Sequence, residues 1–130
     1  MNKKILHLLL IIGLIYPALS LASPIGAITN ISIMESGIGP KNEGCAAFVM
    51  TPDEVRVFFN KAVLISGRQE HDFFLYGPCS IRGTLSTRYD TWQWQIRNFG
   101  TGTITAGNGD TFSFGNPEQE SIPAEEWHEP

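Results

Sequence analysis

The sequence predicts an α+β fold in which one amphipathic helix packs on a mostly antiparallel sheet of four to six strands. Three features predict it. Residues 51–63 combine a helix-start signal with apolar residues at helical spacing. Residues 79–114 alternate between apolar and polar side chains and are broken by turn signals, as in a C-terminal β-meander. Cys45 and Cys79 flank the helix and predict one disulfide.

The N-terminal segment has the pattern of a secretory signal peptide. A basic start at Lys3 and Lys4 precedes an apolar run over residues 5–15, and small residues follow it. Cleavage is expected after Ala22, with Ser20 as the alternative. An uncleaved membrane anchor is disfavoured because the apolar run is shorter than the about 20 residues that span a bilayer.

We therefore expect three regions: a signal peptide at 1–22, a single α+β domain at 23–116 and an acidic, proline-rich tail at 117–130. Removing the signal peptide takes away two lysines and no acid, so the mature chain is more acidic than the formal net charge of −4 of the full sequence. Such a chain is not expected to bind nucleic acid or, after cleavage, membranes, and it suits a partner with a basic surface. The predicted location is the periplasm or outside the cell.

The elements before the meander are expected in the following order. A first strand covers residues 27–34, a glycine-rich loop 35–44 and a short strand 45–50. Thr51 then offers an N-cap with Pro52 at the first helical position and Glu54 to close a capping box. The apolar face of the helix consists of Val55, Phe58, Phe59, Ala62 and Val63. Gly67 is expected to end the helix, followed by a polar loop at 68–72 and an apolar loop or edge strand at 73–78.

The meander follows from period-two alternation. Strands are predicted at 79–86, 91–99, 103–106 and 111–114. Asn108 and Gly109 form the strongest hairpin signal because both tolerate positive φ.

The two cysteines are expected to form a disulfide in an oxidising compartment. Closing this loop would contribute about 3 to 4 kcal/mol on the chain-entropy model. A reactive thiol or metal pair is disfavoured because no Cys-x-x-Cys or Cys/His cluster accompanies them.

Few residues offer catalytic chemistry. His71 is the one histidine outside the predicted signal peptide and tail, and adjacent Glu70 and Asp72 would point in different directions. Glu70, Asp72 and Asp90 could form a pair of acids for hydrolysis only if loops brought them together. We predict no catalytic residues, no metal and no cofactor, and therefore not an enzyme; a hydrolase centred on His71 is the least favoured alternative.

Trp92 and Trp94 allow two interpretations. Their spacing could present a flat platform for sugar rings. Because they share a strand face with Ile96, packing in the core against Phe58 and Phe59 is favoured.

The preferred functional hypothesis is an exported binding protein, such as an immunity protein or inhibitor that blocks a toxin or hydrolase. Its acidic residues would enter a basic cleft of the partner. The candidate partner-binding residues are Glu70, His71, Asp72, Glu118, Glu120, Glu125, Glu126 and Trp127. The alternative is a small carbohydrate- or peptidoglycan-binding module of the cell envelope that uses Trp92 and Trp94.

Overall fold

A computed structural model describes residues 24–119 and shows the predicted α+β fold. The predicted signal peptide at 1–22 and most of the predicted tail lie outside the described residues. No helix within residues 24–119 is long and apolar enough to cross a membrane. The helices and strands are β1 (Thr29–Ile38), α1 (Pro52–Lys61), β2 (Val63–Ile65), α2 (Gly67–Phe73), β3 (Ser80–Ser86), β4 (Thr91–Arg97), β5 (Thr101–Thr105) and β6 (Thr111–Gly115).

The strands form one antiparallel sheet in the order β1-β3-β4-β5-β6-β2. The four strands β3 to β6 are the predicted meander. β1 extends it on one side and the short β2 returns from α1 to the other side, so β1 and β2 are the edge strands.

Strand register separates the sheet into two faces. Ile81, Ile96 and Phe114 lie in one cross-strand row, and Trp94 and Ile104 lie in the next. These side chains are buried with Val55 and Phe59 from α1. We call this the inner face. The opposite, outer face carries mostly threonine, glutamine and arginine.

Helix α1 begins as the sequence predicts. The Thr51 hydroxyl accepts a hydrogen bond from the Glu54 amide at 3.2 Å, and the Glu54 carboxylate accepts one from the Thr51 amide at 3.0 Å. This reciprocal pair satisfies amides that the first helical turn leaves without partners. On the buried side, the Phe59 ring meets Trp94 edge to face at 6.5 Å between centroids. The predicted packing of the helix on the tryptophan face is confirmed.

The segment before α1 differs from the prediction. β1 continues through Ile38, beyond the predicted end at residue 34. The predicted strand at 45–50 is wrong, because Cys45–Ala47 forms a 3-10 turn that starts from a left-handed Gly44. Glycine adopts this backbone conformation easily, and it turns the chain before a strand can pair.

The segment after α1 also differs. The helix ends at Lys61, and Val63–Ile65 pairs with β6. Three consecutive apolar residues, two of them β-branched, favour this strand. Gly67 begins α2 instead of ending α1, so the predicted polar loop at 68–72 is helical.

The predicted disulfide is present. Cys45 and Cys79 are bonded, with Cα atoms 4.9 Å apart. Both are buried, and the bond ties the 3-10 turn before α1 to the start of β3. It therefore encloses α1, β2 and α2 in one covalent loop.

Candidate partner-binding site

Helix α2 is built by a second capping box. The Ser66 hydroxyl accepts from the Gln69 amide at 3.1 Å, and the Gln69 side chain accepts from the Ser66 amide at 2.8 Å. A seven-residue helix is marginal without such caps and without tertiary contacts. Phe74, directly after the helix, is buried against Gly115 of β6. Gly115 pairs with Thr101 in the row of the outer face, so Phe74 anchors α2 to one end of that face.

A groove of about 500 Å³ lies along this anchored segment. We call it the α2 groove, and its lining residues are Gly67, Glu70, His71, Phe74, Leu75 and Tyr76. Leu75 is 58% exposed and Tyr76 is 73% exposed. Two large exposed apolar side chains next to a carboxylate and an imidazole are typical of a protein-binding surface, where aromatic anchors contribute most of the affinity.

The Tyr76 ring is held in place although it is exposed. The Arg97 guanidinium carbon lies 4.5 Å from the ring centroid, within cation–π range. Arg97 Nη1 also donates a hydrogen bond to the Gly77 carbonyl at 3.0 Å. Two residues further on, the Cys79 amide donates to Asn98 Oδ1 at 3.0 Å. These contacts fix residues 76–79 against Arg97 at the end of β4 and the adjacent Asn98, so a partner would meet an ordered tyrosine.

The polar side chains of α2 carry both signs of charge. Asp72 Oδ1 lies 3.1 Å from His71 Nδ1, and Asp72 Oδ2 lies 3.5 Å from Arg68 Nε. The hydrogen bond with His71, followed by that with Arg68, lowers the pKa of the Asp72 carboxyl below its ordinary value of 3.8. Asp72 is therefore anionic at neutral pH, and the half-buried Glu70 supplies a second acidic side chain on the same helix.

The structure brings some of the predicted site residues together and separates others. Glu70 and His71 line the α2 groove, and Asp72 is their neighbour on the helix. Glu118 lies in the Pro117–Gln119 3-10 turn and borders a different groove. The remaining candidates, Glu120, Glu125, Glu126 and Trp127, lie outside the described residues.

Asp90 does not join the other acids. It lies in the turn between β3 and β4, at the end of β4 opposite Arg97. Its carboxylate accepts hydrogen bonds from the Thr91 amide at 2.7 Å and the Gly107 amide at 3.0 Å, so it stabilises two neighbouring turns. Within residues 24–119, no group of three or more His, Cys, Asp or Glu side chains could hold a metal ion.

The tryptophans belong to the core, as their periodicity predicts. Trp92 is 9% exposed and Trp94 is 2% exposed. Their indole nitrogens donate to Thr87 Oγ1 and to the Thr84 carbonyl, respectively, each at 2.9 Å. Neither ring offers a flat exposed surface on which a sugar could stack.

Sequence reasoning missed Leu75 and Tyr76 as site residues. The apolar run over residues 73–78 predicts a loop or an edge strand, and residues 74–78 form a loop. Phe74 and Gly77 are buried in it, whereas Leu75 and Tyr76 are exposed. The usable signal is Ser66 followed by Gln69, a capping-box pattern that predicts a helix start. Once that helix is predicted, any apolar residue after it that is not buried is a candidate for an exposed binding surface.

Comparisons with known proteins give no relative: no family model, no curated protein and no solved structure matches this chain.

Proposed function

We propose that this chain is an exported, non-catalytic binding protein that blocks another protein, as immunity proteins and enzyme inhibitors do. Its partner would be a toxin or hydrolase with a basic surface, met in the periplasm or outside the cell. The observation that carries the proposal is the α2 groove, in which exposed Leu75 and Tyr76 lie beside Glu70 and His71.

The groove combines an aromatic ring, an apolar side chain and charged side chains, which are the groups that tight protein–protein binding uses. Tyr76 supplies a large amphipathic ring that loses little conformational freedom on binding because Arg97 already holds it. Leu75 adds exposed apolar area, while Glu70 in the groove lining and Asp72 on the same helix supply negative charge. Rim charges of this kind speed the encounter with a basic surface and make it sensitive to salt.

The disulfide supports the same interpretation. It joins the chain immediately after the Tyr76 segment to the turn before α1. A small domain outside the cytoplasm gains stability from such a bond, and the bond also restricts motion of the segment that would contact the partner.

Capture of the partner is the first test. The oxidised protein without residues 1–22 would be immobilised and exposed to periplasmic extracts and to secretions of neighbouring strains. We expect a stoichiometric partner that is a hydrolase or toxin, with retention weakened by high salt. The variant Tyr76→Ala should lose at least about tenfold in affinity, as expected for an aromatic anchor.

Tyr89→Ala is the matched control. Tyr89 is 69% exposed and also lies under an arginine, because Arg88 is 5.2 Å from its ring centroid, but it belongs to the β3–β4 turn. Equal loss in both variants, or no loss in either, would argue against the α2 groove. Retention on cell-wall material with no protein partner would reject the inhibitor proposal.

A further inference from the structure

The outer face of the sheet carries a second groove. It shares no lining residue with the α2 groove, but it adjoins a small pocket in which Glu70 of α2 lies near Gln95 and Thr103. It has a volume of about 240 Å³ and crosses β3, β4 and β5. The side chains that border it from the outer face are Met34, Arg82, Gln93, Gln95, Thr103 and Thr105. We call it the outer-face groove.

Strand register arranges its polar side chains as a grid. Arg82, Gln95 and Thr103 lie opposite one another across three strands. Gln93 and Thr105 lie opposite one another in the next row. Neighbouring strands are about 4.8 Å apart, and residues two apart on one strand are about 7 Å apart. The grid therefore offers hydrogen-bonding groups at regular spacing over several strands.

Much of this hydrogen-bonding capacity is unused within the part of the chain that the structure describes. The side chains of Gln93, Gln95 and Thr103 make no hydrogen bond to another residue in the range 24–119. Each glutamine amide can donate two hydrogen bonds and accept two, and each threonine hydroxyl can do both. On an open surface these groups are hydrated, and a ligand with matching groups can replace that water.

The local charge is balanced. Arg82 Nε donates to Glu35 Oε2 at 2.9 Å, and both side chains are about half exposed. Among the described residues, the lining of the groove includes no other charged side chain, and the adjoining small pocket adds Glu70 and Arg97, one charge of each sign. The charged side chains that border the groove are thus two of each sign, which favours a neutral ligand rich in both donors and acceptors.

We propose that the outer-face groove binds a neutral oligosaccharide. Hydroxyl and acetamido groups of such a ligand both donate and accept, as the paired glutamines and threonines do. Met34, which is 61% exposed at the groove edge, would pack against the apolar face of a sugar ring. The chain would then recognise glycans through amides and hydroxyls on the face opposite its buried tryptophans.

The test is a titration of the oxidised protein without residues 1–22, followed by amide resonances in nuclear magnetic resonance spectra. The probes are a hexamer of N-acetylglucosamine and a hexamer of glucose. At least one probe should cause saturable shifts centred on Gln93, Gln95 and Thr103. Replacing both Gln93 and Gln95 with Ala should weaken binding about tenfold or more, since two hydrogen-bonding amides are lost.

Asn60→Ala is the control. Asn60 is an exposed amide on α1, away from this groove, and alanine there favours the helix. It should leave oligosaccharide affinity unchanged. Absence of saturable shifts with both probes, or equal affinity in the double variant, would overturn the proposal. So would binding of a neutral glycine-serine peptide at these amides when neither oligosaccharide binds.

Discussion

The ring of Phe74 lies directly over the backbone of Gly115, so close that a Cβ atom at this position would overlap the ring. This contact joins the end of α2 to β6, although the two residues are far apart in the sequence. It helps to hold the α2 groove in a fixed position on the sheet. Glycine is required at residue 115 for space, because the ring leaves no room for a side-chain atom on its Cα.

Gly115→Ala should therefore displace Phe74 and loosen α2. We expect a loss of about 1 to 3 kcal/mol in the free energy of unfolding, as for overpacked cores, measured by chemical denaturation. Gly67→Ala is the matched control, since a Cβ atom there meets no neighbouring atom within 4 Å and the residue is helical. That variant should be neutral or more stable by up to about 1 kcal/mol. Similar losses in both would contradict the role given to the Phe74 contact.

Removing the disulfide should lower stability strongly. The bond joins residues that are 34 positions apart, and the chain-entropy model gives about 3 to 4 kcal/mol for a loop of this size. Chemical denaturation of the variant with both Cys45 and Cys79 replaced by Ala should show this loss, and reduction of the original protein should show a similar one. A loss under about 1 kcal/mol in both experiments would mean that the sheet alone holds α1 and α2.

Phe59 should be the most sensitive core position on α1. It is fully buried and meets Phe58, Trp94 and Phe114 edge to face, at 5.1, 6.5 and 5.6 Å between centroids. Phe59→Ala should cost about 3 to 5 kcal/mol and shift tryptophan fluorescence. Phe112→Ala should cost about 1 kcal/mol, because that ring is 42% exposed. Equal costs would show that α1 does not hold the centre of the core.

The contribution of Asp72 to α2 should depend on pH. Contacts with His71 and Arg68 lower the pKa of its carboxyl in the folded state. The stabilisation is therefore present above the ordinary value of 3.8 and is lost as the pH falls through the lowered folded value. Asp72→Asn should slightly speed amide exchange in α2 at neutral pH, with less effect at high salt. The difference from the original protein should vanish in acid, and a difference that is constant with pH would contradict the ion-pair explanation.

Local sequence signals predicted the elements that short-range interactions determine, namely the first helix and the strands of the meander. The capping box at Thr51 and the alternation from Ile81 to Phe114 predicted α1, the meander and the face that α1 covers. Helix α2 was not predicted because its seven residues show no apolar periodicity. Its stability depends on the cap at Ser66 and on the packing of Phe74 against the distant Gly115.

The candidate site was predictable only in part, because it also combines local sequence signals with long-range contacts. Composition identified Glu70 and His71 as polar residues between apolar segments. The position of the Tyr76 ring depends on Arg97, which lies in β4, and the Arg97 bond to Gly77 spans 20 positions of the sequence. The contact between Arg97 and the Tyr76 segment follows from the sheet register, and no local pattern in residues 73–78 predicts that register.

The most direct test of the proposed function measures the activity of the captured partner as the protein is added. The account predicts that activity falls to near zero at one equivalent of protein. With Leu75→Ala combined with Tyr76→Ala, at least about tenfold more protein should be needed, while Tyr89→Ala should behave like the original. A captured partner that stays fully active when saturated would contradict the inhibitor proposal.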